Sequence, residues 1–273
     1  MGKFDGYLIC TDLDGTLLRN NKQISAENLN AIAYFQQEGG IFTFITGRMP
    51  FFVDQILAQI TPNAPFGCVN GGGLYDHRKQ EYLWKGLMPP HVVELIEHVD
   101  KTVPGIGIQV YTFQHVYFCQ ENEAMEIFRN ATGLPNLVCD YHDVTEPMAK
   151  ILFGSESDED IRLVEQTLRS HPMAQEFDFI QSERTLFEIL PKGIGKGTAI
   201  SNLVRLLNLD IRKTIAIGDY NNDISMFRAA QVGVAVANAC PDALAAADYI
   251  TVSNEEHAVA QVIYDLEAGR LPF

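Results

Sequence analysis

Residues 7–16 read Tyr7-Leu8-Ile9-Cys10-Thr11-Asp12-Leu13-Asp14-Gly15-Thr16, a short apolar run that breaks into two acids and a glycine. Consecutive apolar residues without alternation are what a strand buried on both faces of a parallel sheet requires. Ligands of such sheets bind beyond the carboxyl ends of the strands, which is where Asp12 and Asp14 fall. Downstream, Ser25 stands as a helix cap before Ala26-Glu27 and the apolar spacing of Leu29, Ile32, Ala33 and Phe35, and Gly39-Gly40 stops that helix. A second strand is expected over residues 41–45. A helix rich in Phe52, Val53, Ile56 and Leu57 leads to a third, short strand near 67–69, ended by Asn70-Gly71-Gly72-Gly73.

This alternation breaks near residue 84 and returns after Gly197, with helices expected over 198–207, 223–230 and 241–246 and strands over 214–217, 233–236 and 249–252. Between the two, strands lengthen and pair, 106–113 followed by 116–119, with helices over 90–103, 121–132 and 158–170. The predicted fold class is therefore α/β: a Rossmann-like doubly wound parallel sheet core, residues 1–84 and 189–273, carrying an inserted α+β cap domain over 85–188. A chain of 273 residues is long enough for both.

Composition narrows the functional classes. Lys plus Arg number 20 against 35 Asp plus Glu, a formal charge of −15, and that field repels nucleic acid phosphates and anionic lipid heads. No apolar run approaches the roughly 18 to 20 residues of a membrane span, and the first residues lack a secretory pattern. Five scattered cysteines without a CxxC pair suit a reduced, cytoplasmic protein.

The polar residues that follow each core strand converge on one chemistry. They are Asp12 and Asp14 after the first strand, Thr46-Gly47-Arg48 after the second, Asn70-Gly71 after the third and Gly218-Asp219-Tyr220-Asn221-Asn222-Asp223 after the fourth, with Lys196 just before a helix. Asp12, Asp14 and Asp219 brought together repel one another, which calls for a hard divalent cation, Mg²⁺ being the natural choice, or for protonation of one member. No His or Cys cluster accompanies them, against zinc. Glycine-flanked amides at Gly15 and Gly47, the Thr46 hydroxyl and the Lys196 ammonium suit an incoming phosphoryl group. One carboxylate can then attack phosphorus while its neighbour supplies the leaving-group proton, and Asp12 and Asp14, two residues apart at a strand end, suit the two jobs. Arg48 reads equally as a solvated helix-start residue and as a substrate contact, and Asn70-Gly71-Gly72-Gly73 as a turn and as an edge of the pocket. The run Gly193-Ile194-Gly195-Lys196-Gly197-Thr198 fits neither the Walker loop nor GxGxxG, because Leu190, Gly197 and Thr198 occupy the wrong positions.

These four ordered segments resemble the motifs of haloacid dehalogenase superfamily phosphatases, and the resemblance spans the whole chain. It is narrower still for the Cof-like subfamily (type IIB), in which a large cap is inserted between the second and third motifs. The resemblance implies that Asp12 is the nucleophile, Asp14 the general acid and then base, Thr46 a phosphate ligand and Lys196 the neutralising cation. It further implies that Mg²⁺ is held by the Asp12 side chain, the Asp14 backbone oxygen and the Asp219 carboxylate, with Asn222 and Asp223 completing the metal and phosphate shell. Two departures stand out: Gly195 where relatives commonly carry serine before the lysine, and Glu256-His257 near the carboxyl end.

The activity expected is that of a Mg²⁺-dependent phosphohydrolase of small phosphorylated metabolites, working through an Asp12 phosphoenzyme as a monomer or homodimer. The cap is expected to close over the site and to select the leaving group. Two alternatives use the same phosphorylated aspartate: a phosphotransferase or mutase that passes the group to a second hydroxyl, and a regulatory switch. The 34 positions between Asp12 and Thr46 leave no room for the cap that sugar mutases of this superfamily place there, and a slow switch has no need of Asp14.

Overall fold

A computed structural model describes residues 2–273. Strand β1 (Leu8–Thr11) is buried along its whole length, as its apolar run demands. Helix α1 (Ala26–Gln37) starts at Ser25, whose hydroxyl accepts the Asn28 N–H at 3.2 Å, and leads into β2 (Ile41–Phe44). The expected helix around Phe52 is instead a 3-10 turn, Pro50–Phe52, and a single α turn, α2 (Asp54–Leu57). Strand β3 (Phe66–Cys68) follows, and then a pair absent from the sequence reading, β4 (Gly73–Asp76) and β5 (Glu81–Lys85), which completes a three-stranded sheet with β3.

The chain continues through α3 (Val92–Thr102), β6 (Gly107–Thr112), β7 (Val116–Gln120), α4 (Glu123–Thr132), β8 (Leu137–Val138), β9 (Met148–Gly154), α5 (Asp158–Ser170), β10 (Phe177–Glu183) and β11 (Leu186–Pro191). It ends with α6 (Lys196–Leu207), β12 (Thr214–Gly218), α7 (Ile224–Ala229), β13 (Val232–Ala235), α8 (Pro241–Ala246), β14 (Tyr249–Ile250) and α9 (Ala258–Glu267). Helix α9 is a further element that the sequence reading did not single out.

Two compact units result, Met1–Trp84 with Gly195–Phe273, and Lys85–Ile194. The sequence reading began the returning core at residue 189, whereas β11 continues to Pro191 within the second unit's sheet, so the junction falls later, at Gly195.

The first unit is built on a parallel sheet of order β14-β13-β12-β1-β2. A single parallel bridge, Ile45 to Gly67, ties β3 beside β2. From β1 the chain moves outward through α1 to β2, and from β12 it moves the other way through α7 to β13. Right-handed crossovers in opposite directions place those helices on opposite faces, which is the doubly wound arrangement, and the strand order reverses between β1 and β12. The crevice at that reversal is where Asp12 and Asp219 emerge.

The second unit is a six-stranded sheet of order β10-β11-β9-β6-β7-β8, antiparallel except where β8 runs parallel to β7. One face carries Ile108, Val110, Ile151, Phe153, Phe187 and Ile189, joined in one apolar core with Leu95, Ile96 and Val99 of α3 and Ile161, Val164 and Leu168 of α5. The alternate residues Gln109, Tyr111, Lys150 and Glu188 are also buried, and polar. Lys150 Nζ donates to Glu188 Oε1 at 3.1 Å and lies 4.4 Å from the Tyr111 ring centroid, while the Tyr111 hydroxyl donates to Gln109 Oε1 at 2.9 Å. Among the described residues no helix is long and apolar enough to cross a membrane.

Candidate active site

The carboxyl end of β1 delivers Asp12, whose N–H continues the ladder by donating to Ile217 O of β12 at 2.8 Å. One residue beyond β12 comes Asp219, and the 3-10 turn Asn221–Asp223 then turns Asp223 back beneath it. Asp223 Oδ2 accepts the backbone N–H groups of Asp219 at 2.8 Å and Tyr220 at 3.0 Å, so this acid shapes the loop that presents its neighbour. Carboxylate oxygens of Asp12, Asp219 and Asp223 lie within 4.8 Å of one another.

Lys196 neutralises part of this cluster. It occupies the first turn of α6, and its ammonium, 1% exposed, donates to Asp12 Oδ1 at 2.6 Å and Asp223 Oδ1 at 2.5 Å. The helix start approaches the third-strand turn so closely that a Cβ on Gly71 would sit 2.0 Å from Gly195 O; Gly71 also has φ +85°, so only glycine fits there. Gly15 has φ +78°, and a Cβ there would meet Asp219 Oδ2 at 2.5 Å.

The charges perturb one another. Burial, with the Asp223 and Asp219 charges added, holds the Asp12 carboxyl well above the usual range despite the pull of Lys196. Burial and then Asp223 push Asp219 up to about 7, against the hydrogen bond from the Thr16 hydroxyl (2.8 Å). Burial alone would lower Lys196, but Asp12 and Asp223 outweigh it and keep the ammonium charged. Three acids against one ammonium leave an uncompensated negative charge on oxygen donors, and the group this donor set fits is a small, hard divalent cation. Asp223, with both oxygens already engaged, is the least available of the three.

The structure brings Asp12, Asp219, Asp223 and Lys196 into direct proximity, and it sends the Asp14 side chain elsewhere. Arg48 Nε donates to Asp14 Oδ2 and Arg48 Nη2 to Oδ1, both at 2.8 Å, and Lys22 Nζ adds a third bond to Oδ1 at 2.8 Å. Burial acts upward on Asp14, but these bonds prevail and hold it below its ordinary value. The Arg48 guanidinium is thus occupied by Asp14 rather than loosely solvated. Thr46 is buried; its N–H donates to Gly67 O (3.0 Å) and its carbonyl accepts from Asn70 N (3.0 Å), locking the second and third loops together. Gly47 lies against Asn70, since a Cβ there would be 3.1 Å from Asn70 Oδ1, and the same oxygen accepts from Asn222 Nδ2 at 3.1 Å. Sequence reading did not single out Lys22, or Asn238, whose Nδ2 donates to Gly15 O at 2.8 Å. Neither lies in a recognisable pattern, and each meets its partner only through the fold.

The family described as haloacid dehalogenase-like hydrolase matches residues 9–263. Phosphatase YwpJ of Bacillus subtilis is 27% identical over 289 residues, covering 95% of this chain and 99% of its own. The 5-amino-6-(5-phospho-D-ribitylamino)uracil phosphatase YwtE of the same organism is 28% identical, with 96% and 98% covered. Among solved structures, a haloacid dehalogenase-like hydrolase from Bacteroides thetaiotaomicron superposes with a TM-score of 0.80 at 27% identity, covering 95% of this chain and 99% of that one.

Proposed function

Since the chain belongs to the haloacid dehalogenase-like hydrolase family, we propose that it is a Mg²⁺-dependent phosphatase of small phosphorylated metabolites that works through an aspartyl-phosphate on Asp12. The observation that carries this reading is the buried Asp12–Lys196–Asp223 arrangement with Asp219 alongside, at the point where strand order reverses. Both named relatives are phosphatases, and one has a phosphorylated ribitylaminouracil in its name, which supports a metabolite-sized phosphomonoester as substrate.

Lys196 and the Thr46 hydroxyl receive the phosphoryl oxygens, with the amides beside Gly47 and the Asn222 side chain around them. Asp12, Asp219 and Asp223, with the Asp14 backbone oxygen, would hold Mg²⁺, which when bound offsets the carboxylate repulsion and the phosphoryl charge. An Asp12 oxygen attacks phosphorus; the bond from phosphorus to the ester oxygen breaks, and Asp14 donates the proton that oxygen needs, which requires it to be protonated and to leave the Arg48 and Lys22 bonds that hold it ionised in this structure. Water then attacks the phosphorus of the acyl phosphate, Asp14 takes its proton, and Asp12 is released with inorganic phosphate.

The test is phosphate release from a panel of small phosphomonoesters, with and without Mg²⁺, by the wild type and Asp12→Asn, whose amide is no nucleophile. Turnover that requires Mg²⁺ and vanishes in the variant supports the reading. Full activity in Asp12→Asn, or an inactive wild type across the panel, contradicts it.

A further inference from the structure

Asp219, the acid that follows β12, has a fixed main chain and a side chain that can still turn. Its N–H donates to Asp223 Oδ2 at 2.8 Å, and its carbonyl accepts the Cys240 N–H at 2.8 Å. Carboxylate oxygens of Asp12 and Asp223, within 4.8 Å, repel its own. Against that repulsion the Thr16 hydroxyl donates to Asp219 Oδ1 at 2.8 Å. Thr16 is fully buried, and a valine of the same outline would fill its place without the donor. What threonine adds there is the bond to Asp219. Gly15, beside it, carries no side chain to crowd Asp219 Oδ2, which a Cβ would meet at 2.5 Å. One oxygen of Asp219 is thus engaged by the turn and the other is kept clear of it.

The turn that carries Thr16 is itself held from outside at both ends. Asn238, in the loop after β13, donates from Nδ2 to Gly15 O at 2.8 Å and accepts the Asn254 N–H on Oδ1 at 2.9 Å. Asn254 opens the 3-10 turn Asn254–Glu256 after β14, is buried, and donates from Nδ2 to Leu18 O at 3.0 Å. The relay needs a donor and an acceptor on one side chain at residue 238, which an asparagine has; an aspartate lacks the donor and would set its charge against the Gly15 carbonyl. The peptide whose oxygen Asn238 holds joins Gly15 to Thr16, one residue beyond the Asp14 carbonyl. Fixing it steadies that carbonyl and the Thr16 side chain together.

We infer that Thr16 is a positioning residue for Asp219, that Asn238 and Asn254 position the turn presenting Thr16, and that this relay sets the affinity of the acid cluster for its divalent cation. The inference rests on the reading of Asp12, Asp219 and Asp223 as the residues that would hold Mg²⁺. An outer partner that fixes the orientation of a ligand typically accounts for about 10- to 100-fold in metal affinity.

The test measures binding of Mn²⁺ alone to the substrate-free protein, through the electron paramagnetic resonance signal of the free ion. Wild type should show one tight site that Mg²⁺ competes for and that Asp219→Asn removes. Thr16→Val, which keeps the shape and loses the donor, should weaken that site by about 10- to 100-fold, and Thr16→Ser should restore most of it. Asn238→Ala should weaken it several-fold, by less than Thr16→Val. In each case the Mg²⁺ concentration for half-maximal phosphate release should rise in step. Asn238 is exposed, so Asn238→Ala decides the matter even should Thr16→Val fail to fold. If the wild type has the tight site and folded Thr16→Val and Asn238→Ala bind Mn²⁺ as tightly, the positioning role is overturned while the metal reading stands. A loss in Thr16→Val that Thr16→Ser does not recover also overturns it, because the packing and not the hydroxyl would then be responsible. If the wild type shows no site that Asp219→Asn removes, the metal reading fails and the inference with it.

Discussion

Withdrawing divalent cations while raising the pH should unfold the first unit more easily, by an amount set by Asp219. Its carboxyl is pushed from an ordinary 3.8 up to about 7 by burial and then by Asp223. Between those values the folded protein holds a proton that the unfolded chain has released, so stability falls as pH rises through this window. At about 1.4 kcal/mol per unit, three units amount to at most about 4 kcal/mol, solvent at this half-buried site reducing it. Asp12, raised in the same direction, adds to the trend. A cation that binds the ionised acids reverses the loss: at about a hundred times its Kd, Mg²⁺ should restore about 2.7 kcal/mol above pH 7, and much less near pH 5, where protons compete. The assay is urea unfolding at pH 5 to 8.5, in EDTA and in Mg²⁺, followed by tryptophan fluorescence. Trp84, the single tryptophan, lies in the first unit and reports on it. Asp219→Asn should flatten the pH dependence and weaken the Mg²⁺ effect. A wild-type midpoint in EDTA that does not fall between pH 5 and pH 8, or the same slope in Asp219→Asn, would refute the reasoning.

Three further outcomes follow from the same geometry. Lys150→Met strands the buried Glu188 carboxylate and should cost about 3–5 kcal/mol, read as a lowered urea midpoint, whereas the double change Lys150→Met/Glu188→Leu should recover much of it. Gly71→Ala faces both φ +85° and a 2.0 Å clash with Gly195 O; it should lower the thermal midpoint and impair phosphate release together, while Gly105→Ala, with φ +81° but open space, should cost only the backbone strain. Asp14, held below its ordinary value by Arg48 and Lys22, contributes stability above that ordinary value and loses it as pH falls through the lowered one. Asp14→Asn should therefore destabilise the protein at pH 7 and make little difference near pH 2, as measured by thermal unfolding across that range.

The parallel core was legible because its strands are uninterrupted apolar runs and its helices carry local stop and start signals, Ser25 and Gly39-Gly40 among them. Helix α5 was read over its full observed length for the same reason, with Ser157 capping Asp160 at 3.3 Å. Strand β9 hides a lysine at its centre, and that residue belongs in a buried strand only because Glu188, 38 positions on, is there to meet it. The pair β4 and β5 was masked by the glycine run that opens it, and α9 begins at His257, which adopts φ +65° and carries no ordinary cap signal. At the site, Asp12, Asp219, Asp223 and Lys196 announced themselves by following strands or opening a helix. The direction of the Asp14 side chain did not, since Lys22 and Arg48 lie 8 and 34 positions away and meet it only in the folded chain.

Whether Asp12 carries the phosphoryl group is decided most directly by borohydride reduction during turnover, which converts an aspartyl-phosphate to homoserine. With a good phosphomonoester substrate and Mg²⁺, peptide mass spectrometry should find homoserine at position 12 and nowhere else, and none in Asp12→Asn. Steady turnover by the wild type with residue 12 unmodified under conditions that trap acyl phosphates, or homoserine at Asp14 or Asp219 instead, would contradict it.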